Sequence, residues 1–197
     1  MGLSAVQTCN AIQACSAIQA CNGITVIAGG EEVVPFTNTY SVDFDGTDDY
    51  AVVDNTGGEF TFGDSSSDSA FSGSAWIKPD VLFDFQILTC ADGGSSDLEW
   101  QFTLLSGGQL FLTLFDGNVS NNIRCTSTAT LSTGTWYHVG FSYDGSGSET
   151  GLKLYIDGSP AAVTQAEVGT YVAMHNLSDE LRIGSFNYHT DRFANGK

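Results

Sequence analysis

Large apolar residues alternate with small or polar ones through most of the chain. The clearest case is Thr135-Trp136-Tyr137-His138-Val139, leading into Phe141-Ser142-Tyr143-Asp144-Gly145, and then Leu152-Lys153-Leu154-Tyr155-Ile156-Asp157-Gly158. A period of two is the period of a β-strand. The connecting Ser146-Gly147-Ser148-Glu149-Thr150 holds no core-forming residue, so the two runs predict an antiparallel hairpin. Tyr137, Val139, Phe141 and Tyr143 fall on one face of the first strand, and Leu152, Leu154 and Ile156 on one face of the second. The hairpin thus presents one apolar surface to a second sheet.

Similar runs precede it. Val42 and Phe44 alternate within Ser41–Asp45 and are expected to point inward, before a Gly46-Thr47-Asp48-Asp49 turn and a return from Tyr50 to Val53. Phe71, Gly73, Ala75 and Ile77 alternate with Ser72, Ser74, Trp76 and Lys78. Phe85, Ile87 and Thr89 follow, then a loop from Asp92 to Asp97, a strand with Trp100, Phe102 and Leu104, a Gly107-Gly108 turn, and a strand with Leu110, Leu112 and Leu114. Arg124 to Thr130 makes one more. Many short strands between Gly, Ser, Asn and Asp clusters predict an all-β sandwich.

The N-terminus has a different period. Residues 5–22 read Ala-Val-Gln-Thr-Cys-Asn, Ala-Ile-Gln-Ala-Cys-Ser, Ala-Ile-Gln-Ala-Cys-Asn. On an α-helix a six-residue step turns through about 600°, so equivalent residues would drift around the axis. In extended chain they stay on one side. Val6, Ile12, Ile18 and Ile24 then align on one face, and Cys9, Cys15 and Cys21 on the other. Three hexads cannot close a repeat array alone. Residues 1–30 are therefore expected to form an extended arm that seeks copies of itself or another assembly protein, with 31–39 as linker and 40–197 as the sandwich.

Composition narrows the function. The 197 residues carry 23 acids against 6 bases, for a formal net charge of −17, which excludes nucleic acid as a partner. No apolar run reaches the roughly 20 residues needed to span a bilayer. The N-terminus lacks the basic region of a usual secretory signal, and Val6 stands where a myristoylation site wants Ser or Thr. Cys90 and Cys125 sit in strand-like segments and are expected to be buried thiols. A zinc site is not expected, since Cys-x5-Cys is not a zinc spacing.

The motifs in order resemble the laminin-G-like family of concanavalin A-like jelly rolls. They are Ser41–Tyr50, Phe71–Pro79, Thr135–Val139, Leu152–Gly158 and Leu181-Arg182-Ile183-Gly184-Ser185. The resemblance runs from about Tyr40 to the end. It implies a two-sheet jelly-roll sandwich and one further strand, of the Ile-Asp-Glu-Val type, after Phe193–Lys197, supplied by a continuing chain or by another one. It also implies calcium in loops at one rim. Asp92 and Asp97 in one loop and Asp116 and Asn118 in another are the candidate ligands, with Asp45, Asp48 and Asp49 as a third group; each group equally suits ordinary turn chemistry. For a bound glycan, Asn187, Tyr188 and His189 are the candidate contacts.

Related jelly rolls that hydrolyse glycans use a Glu-x-Asp-x-x-Glu strand. Asp97-Leu98-Glu99 and Asp179-Glu180 only approach it, which disfavours a hydrolase. Nor does any motif join His138, His175 or His189 to a nucleophile. The expected function is non-enzymatic. The first expectation is a structural or decoration protein of a virus particle or similar extracellular assembly, displaying a sandwich with affinity for glycans. The alternative is a glycan-binding adhesion module on a cell or appendage.

Overall fold

The structure, a computed structural model, describes residues 40–94, 97–177, 179–186 and 192–197, and of 92–97 the backbone alone where placed. The hexad arm and Asn187, Tyr188 and His189 lie outside the described residues. Thirteen strands are described: β1 (Phe44–Asp45), β2 (Ala51–Val53), β3 (Phe71–Ile77), β4 (Phe85–Gly94), β5 (Asp97–Leu104), β6 (Gln109–Phe115), β7 (Asn122–Thr130), β8 (Tyr137–Tyr143), β9 (Leu152–Ile156), β10 (Ser159–Pro160), β11 (Val163–Val168), β12 (Leu181–Ile183) and β13 (Asn195–Gly196). Among the described residues there is no α-helix; a single 3-10 turn, Glu149–Gly151, leads into β9.

Two sheets face each other. One has four strands in the order β10-β9-β8-β3, the other seven in the order β11-β7-β6-β5-β4-β12-β2. The fold is an all-β sandwich of the jelly-roll class. The predicted hairpin is β8–β9, with Phe141 opposite Leu154 and Tyr143 opposite Leu152. Val139, Phe141, Tyr143, Leu152 and Leu154 are all buried. Across the core, the inner face of the seven-stranded sheet gives two cross-strand rows. Leu181, Cys90, Trp100, Leu114 and Ile123 form one, and Leu88, Phe102, Leu112 and Cys125 the other. Phe141 meets Phe102 with ring centroids at 5.1 Å and Trp100 at 5.7 Å, so the sheets interlock through aromatic pairs. Gly73 is forced by this packing, because a Cβ there would sit 2.7 Å from the Phe141 ring. Gly108 is forced by the β5–β6 turn, where φ is +82° and a Cβ would meet the Leu131 carbonyl at 2.7 Å.

Two readings need correction. Val42 does not point inward; it is 66% exposed, while Phe44 is half-buried against the core. The strand shrinks to Phe44–Asp45, paired with Gly196 and Asn195. β5 does not alternate strictly either. A register shift lies between Cys90–Trp100 and Ala91–Leu98, so Glu99 is the extra residue. A bulge of this kind turns neighbouring side chains to the same side. Glu99 enters the interior with Trp100, and Leu98 joins a separate apolar cluster with Ala91, Phe115 and Phe186.

β3 ends the four-stranded sheet, and among the described residues its outer edge meets other backbone only beyond Ile77. Lys78 and Lys197 exchange backbone hydrogen bonds there, and Asp80 N–H donates to Asn195 O. By strand alternation, the N–H and C=O groups of Ser72, Ser74 and Trp76 point out from that edge.

Both described cysteines are free and buried, as expected. Burial, then the nearby Glu99 and Asp179 carboxylates, raise the Cys90 thiol pKa well above its ordinary value. Burial pushes Cys125 up to about 12. Only a thiolate is a good nucleophile. Iodoacetamide at pH 8 is therefore expected to leave both unmodified in the native protein and to label both in urea, as read by peptide mass. Labelling of either in the native state would contradict the closed core described here.

Candidate functional site

The outer face of the seven-stranded sheet collects polar side chains from strands far apart in sequence. Pairing registers align Val52, Arg182, Thr89, Gln101, Thr113, Arg124 and Ala166 in one cross-strand row. The next row is Gln86, Thr103, Phe111, Thr126 and Thr164. On the other side lie Ala91, Leu98, Phe115, Asn122 and Val168. Neighbouring strands lie about 4.8 Å apart, so Arg182 and Arg124, four strands from each other, stand roughly 19 Å apart.

Much of this polarity is unanswered among the described residues. Gln86, Thr89 and Thr113 are buried, and Gln86 Nε2, Thr89 Oγ1, Thr113 Oγ1 and Arg182 Nε have no hydrogen-bond partner among them. Thr103 Oγ1 donates to Gln86 Oε1, which leaves the Gln86 amide hydrogens directed elsewhere. Arg182 is held in place: its Nη2 donates to Glu180 Oε2 at 3.1 Å, and its guanidinium lies 4.9 Å from the Tyr50 ring centroid. Arg124 is exposed. None of the residues in the three rows is a carboxylate.

The outer face of the four-stranded sheet is built differently. Trp76 is 65% exposed and meets His138 with ring centroids at 5.3 Å. Ser74, Gly140 and Tyr155 form the adjacent row, and Ser142 Oγ lies 3.2 Å from Tyr155 OH. This is an aromatic platform on which the Ser142 and Tyr155 hydroxyls pair with each other. Beside β3 lies a cavity of about 190 Å³ lined by Phe44, Phe85, Ile87, Leu88 and Ile183 among others. Its walls are mostly hydrocarbon and suit no polar ligand.

The sequence candidates fare unevenly. Asp116 and Asn118 share the β6–β7 turn. His175 Nε2 lies 2.9 Å from Asp116 Oδ1, and Val172 N–H donates to Asp116 Oδ2 at 3.1 Å. Asn118 Oδ1 accepts from Ser120 N–H, and its amide donates to Asp116 O. The Asn118 side chain thus fixes the turn, and the Asp116 side chain ties it to the 172–175 segment. The β4–β5 hairpin carrying Asp92 and Asp97 ends on the same side of the sheet, but those two side chains lie outside the described residues. Asp45, Asp48 and Asp49 come together: each offers a carboxylate oxygen, all within 4.8 Å of one another, in an exposed turn. Thr47 N–H donates to Asp45 Oδ1, and Asp45 N–H donates to Asp49 Oδ2. An all-oxygen set of this kind has the donor chemistry of a calcium site.

A second buried polar group lies between the sheets. Glu99 Oε1 accepts from Leu177 N–H at 2.9 Å and from Thr61 Oγ1 at 3.2 Å. Asn55, also buried, donates to Asp179 O at 2.8 Å and accepts from Phe60 N–H. Burial raises the Glu99 carboxyl pKa to about 7, the Asp179 charge adds to the rise, and the hydrogen bonds oppose it. Glu99 holds the 55–61 and 177–179 segments to the sandwich.

A family model described as the concanavalin A-like lectin/glucanases superfamily matches residues 38–197. The chain belongs to that superfamily. Its laminin-G-type member fold agrees with solved structures. The CBM40 domain of the Ruminococcus gnavus IT-sialidase, bound to α2,3-sialyllactose, is 14% identical with a TM-score of 0.53, covering 79% of this chain and 85% of that one. Domains LG4-5 of the mouse laminin α1 chain are 14% identical with a TM-score of 0.49, covering 78% of this chain and 37% of that one. The SAP-like pentraxin of Limulus polyphemus is 21% identical with a TM-score of 0.46, covering 78% of this chain and 70% of that one. This chain therefore spans little more than a third of the laminin fragment. The likeness to the CBM40 domain, at 14% identity, concerns the fold alone. No curated protein matches the sequence.

The outer-face rows escaped the sequence reading because they exist only after pairing: Thr89 and Arg182 are opposite one another yet 93 positions apart. The available signal was Arg124 and Arg182, two of the three basic residues at strand positions.

Proposed function

We propose that the chain is a non-catalytic glycan-binding module whose ligand lies across the outer face of the seven-stranded sheet. The observation that carries this reading is that Thr89, Thr113 and Arg182 in one row, and Gln86 in the next, each keep a buried polar atom without a partner among the described residues. Such an atom costs about 1–3 kcal/mol. Several in one row are sustained most simply by a ligand rich in hydroxyls, which donates and accepts at each sugar. The superfamily assignment and the CBM40 domain, itself bound to a sialylated trisaccharide, support the same ligand class. The non-catalytic reading rests on the rows themselves: they carry no carboxylate pair to divide acid and nucleophile work. Display of this module on a virus particle or other assembly is the accompanying proposal. Its support is the hexad pattern of residues 1–30 in the sequence.

Thr113→Val tests the site. Removing an unpartnered hydroxyl while keeping the side-chain shape is expected to leave stability unchanged or raise it by up to about 1 kcal/mol. The same change is expected to weaken glycan binding about tenfold on an array and by calorimetry. Trp76→Ala is expected to leave binding intact. Binding lost with Trp76→Ala but kept with Thr113→Val would move the site to the aromatic platform. Binding abolished by a chelator would move it to the Asp45–Asp49 turn.

A further inference from the structure

Building on that reading, we propose that Glu99 is a positioning residue for the ligand face: from between the sheets it sets the place of β2 and β12, the end of the seven-stranded sheet. The sheet is thin there. All three residues of β2 are exposed, and of β12 only Leu181 is buried, so apolar burial contributes little to holding either strand. Their places depend on the segments that flank them. Residues 55–61 begin just after β2, and residues 177–179 end just before β12.

Both segments are fastened to Glu99, whose Oε1 accepts from Leu177 N–H at 2.9 Å and from Thr61 Oγ1 at 3.2 Å. Asn55 joins the segments to each other, its Nδ2 donating to Asp179 O at 2.8 Å and its Oδ1 accepting from Phe60 N–H. β5 gives residues 55–61 a second anchor, since Trp100 Nε1 donates to Phe60 O at 2.9 Å. Among the described residues, however, Glu99 is the one β5 side chain bonded to both segments. Glu99 is fully buried, so no water stands ready to replace these bonds. It reaches the interior only because of the β5 bulge.

The effect passes to the ligand face through β12. Arg182 stands opposite Thr89 on one side and Val52 on the other. Thr89 Oγ1 and Arg182 Nε are two of the buried atoms without a partner among the described residues. A ligand that answers both needs their spacing held to within about 0.5 Å. Three residue pairs join β12 to β4, and the Glu99 bonds add the constraint at the entry to β12.

The test uses the full chain with lactose, 3′-sialyllactose and cellotetraose as probes, by calorimetry well below the melting point of each variant. Glu99→Ala is expected to weaken the probe that binds about tenfold. Glu99→Gln, which keeps an acceptor for Leu177 and Thr61, is expected to restore native affinity. Asp68→Ala loses hydrogen bonds remote from β2 and β12 and serves as the control; it is expected to keep the affinity while losing stability. Hydrogen exchange should rise in Glu99→Ala at Ala51–Val53 and Leu181–Ile183, with β6 to β9 still protected. If Glu99→Ala does not fold, Thr61→Val carries the test, with affinity about threefold lower as the expected result. Native affinity in folded Glu99→Ala or in Thr61→Val, with Thr113→Val still weakening binding, would overturn the positioning role and leave the glycan site standing. Equal losses in Glu99→Ala and Asp68→Ala would overturn it too, by making the loss one of general stability. Absence of binding by every probe and every array glycan would overturn both.

Discussion

Asp68→Ala is expected to destabilise the sandwich by about 4 kcal/mol, the largest effect of any single polar substitution considered. Asp68 lies in the 63–69 loop and accepts three hydrogen bonds from distant parts of the chain. Tyr143 OH, on β8, donates to Oδ2 at 2.8 Å. Tyr171 OH, after β11, donates to the same oxygen at 2.7 Å. Met174 N–H donates to Oδ1 at 2.9 Å. Hydrogen bonds to a charged group contribute about 1.5–3 kcal/mol each, and cutting all three leaves two phenols and an amide without their acceptor. Tyr143 and Tyr171 are buried, which removes water as a replacement. Burial, reinforced by Asp68, holds both phenols protonated well above their ordinary range, so they remain donors at any working pH. Urea titration should show the loss in the midpoint, and a thermal scan should fall by roughly 10 °C. Asp68→Asn keeps part of the acceptor set and should cost about half as much. A drop below 1 kcal/mol for Asp68→Ala would show that the three segments hold together without this carboxylate.

Stability is expected to fall by about 3 kcal/mol between pH 4.5 and pH 8, and Glu99→Gln is expected to remove most of that fall. Burial raises the Glu99 carboxyl from its ordinary 4.5 to about 7 in the folded state. Between those values the folded chain binds a proton that the unfolded chain has released. The unfolded state then holds fewer protons, so stability decreases as pH rises, and the decrease is complete once pH passes the folded value. Gln keeps an acceptor for Leu177 N–H and Thr61 Oγ1 without a charge to bury. Other carboxylates give an opposing rise below pH 4.5, so the comparison is made over the upper window. A slope in that window identical for the native protein and Glu99→Gln would assign the pH dependence elsewhere.

What the sequence reveals here follows from how local each signal is. The β8–β9 hairpin is legible because its alternation, its polar loop and its pairing partner lie within about twenty residues of one another. The core residues of β3, Phe71 and Ile77, are legible from alternation alone, although the strand pairs with the distant β8. Glu99 is not. Alternation from Trp100, Phe102 and Leu104 places it outside, and a bulge, which leaves no mark in a period-two pattern, brings it in. Val42 fails in the opposite sense: it alternates correctly, but the strand that forms is only Phe44–Asp45 and leaves Val42 outside it. The candidate site required pairings among β12, β4, β5, β6 and β7 that no local pattern specifies. The loop residues favoured for calcium offered chemistry that turns also use, as Asn118 does in bonding Asp116 O and Ser120 N–H.

The bare rim of β3 has a consequence for how the protein behaves in company. Three residues there present both halves of the peptide group outward, with neither proline nor inward-facing lysine within Phe71–Ile77 to blunt them. A stretched segment of any neighbouring polypeptide can zip onto such a seam through main-chain contacts alone, whatever its side chains. Among the described residues, this rim is therefore a place where strand addition by a second molecule needs no change in the sandwich.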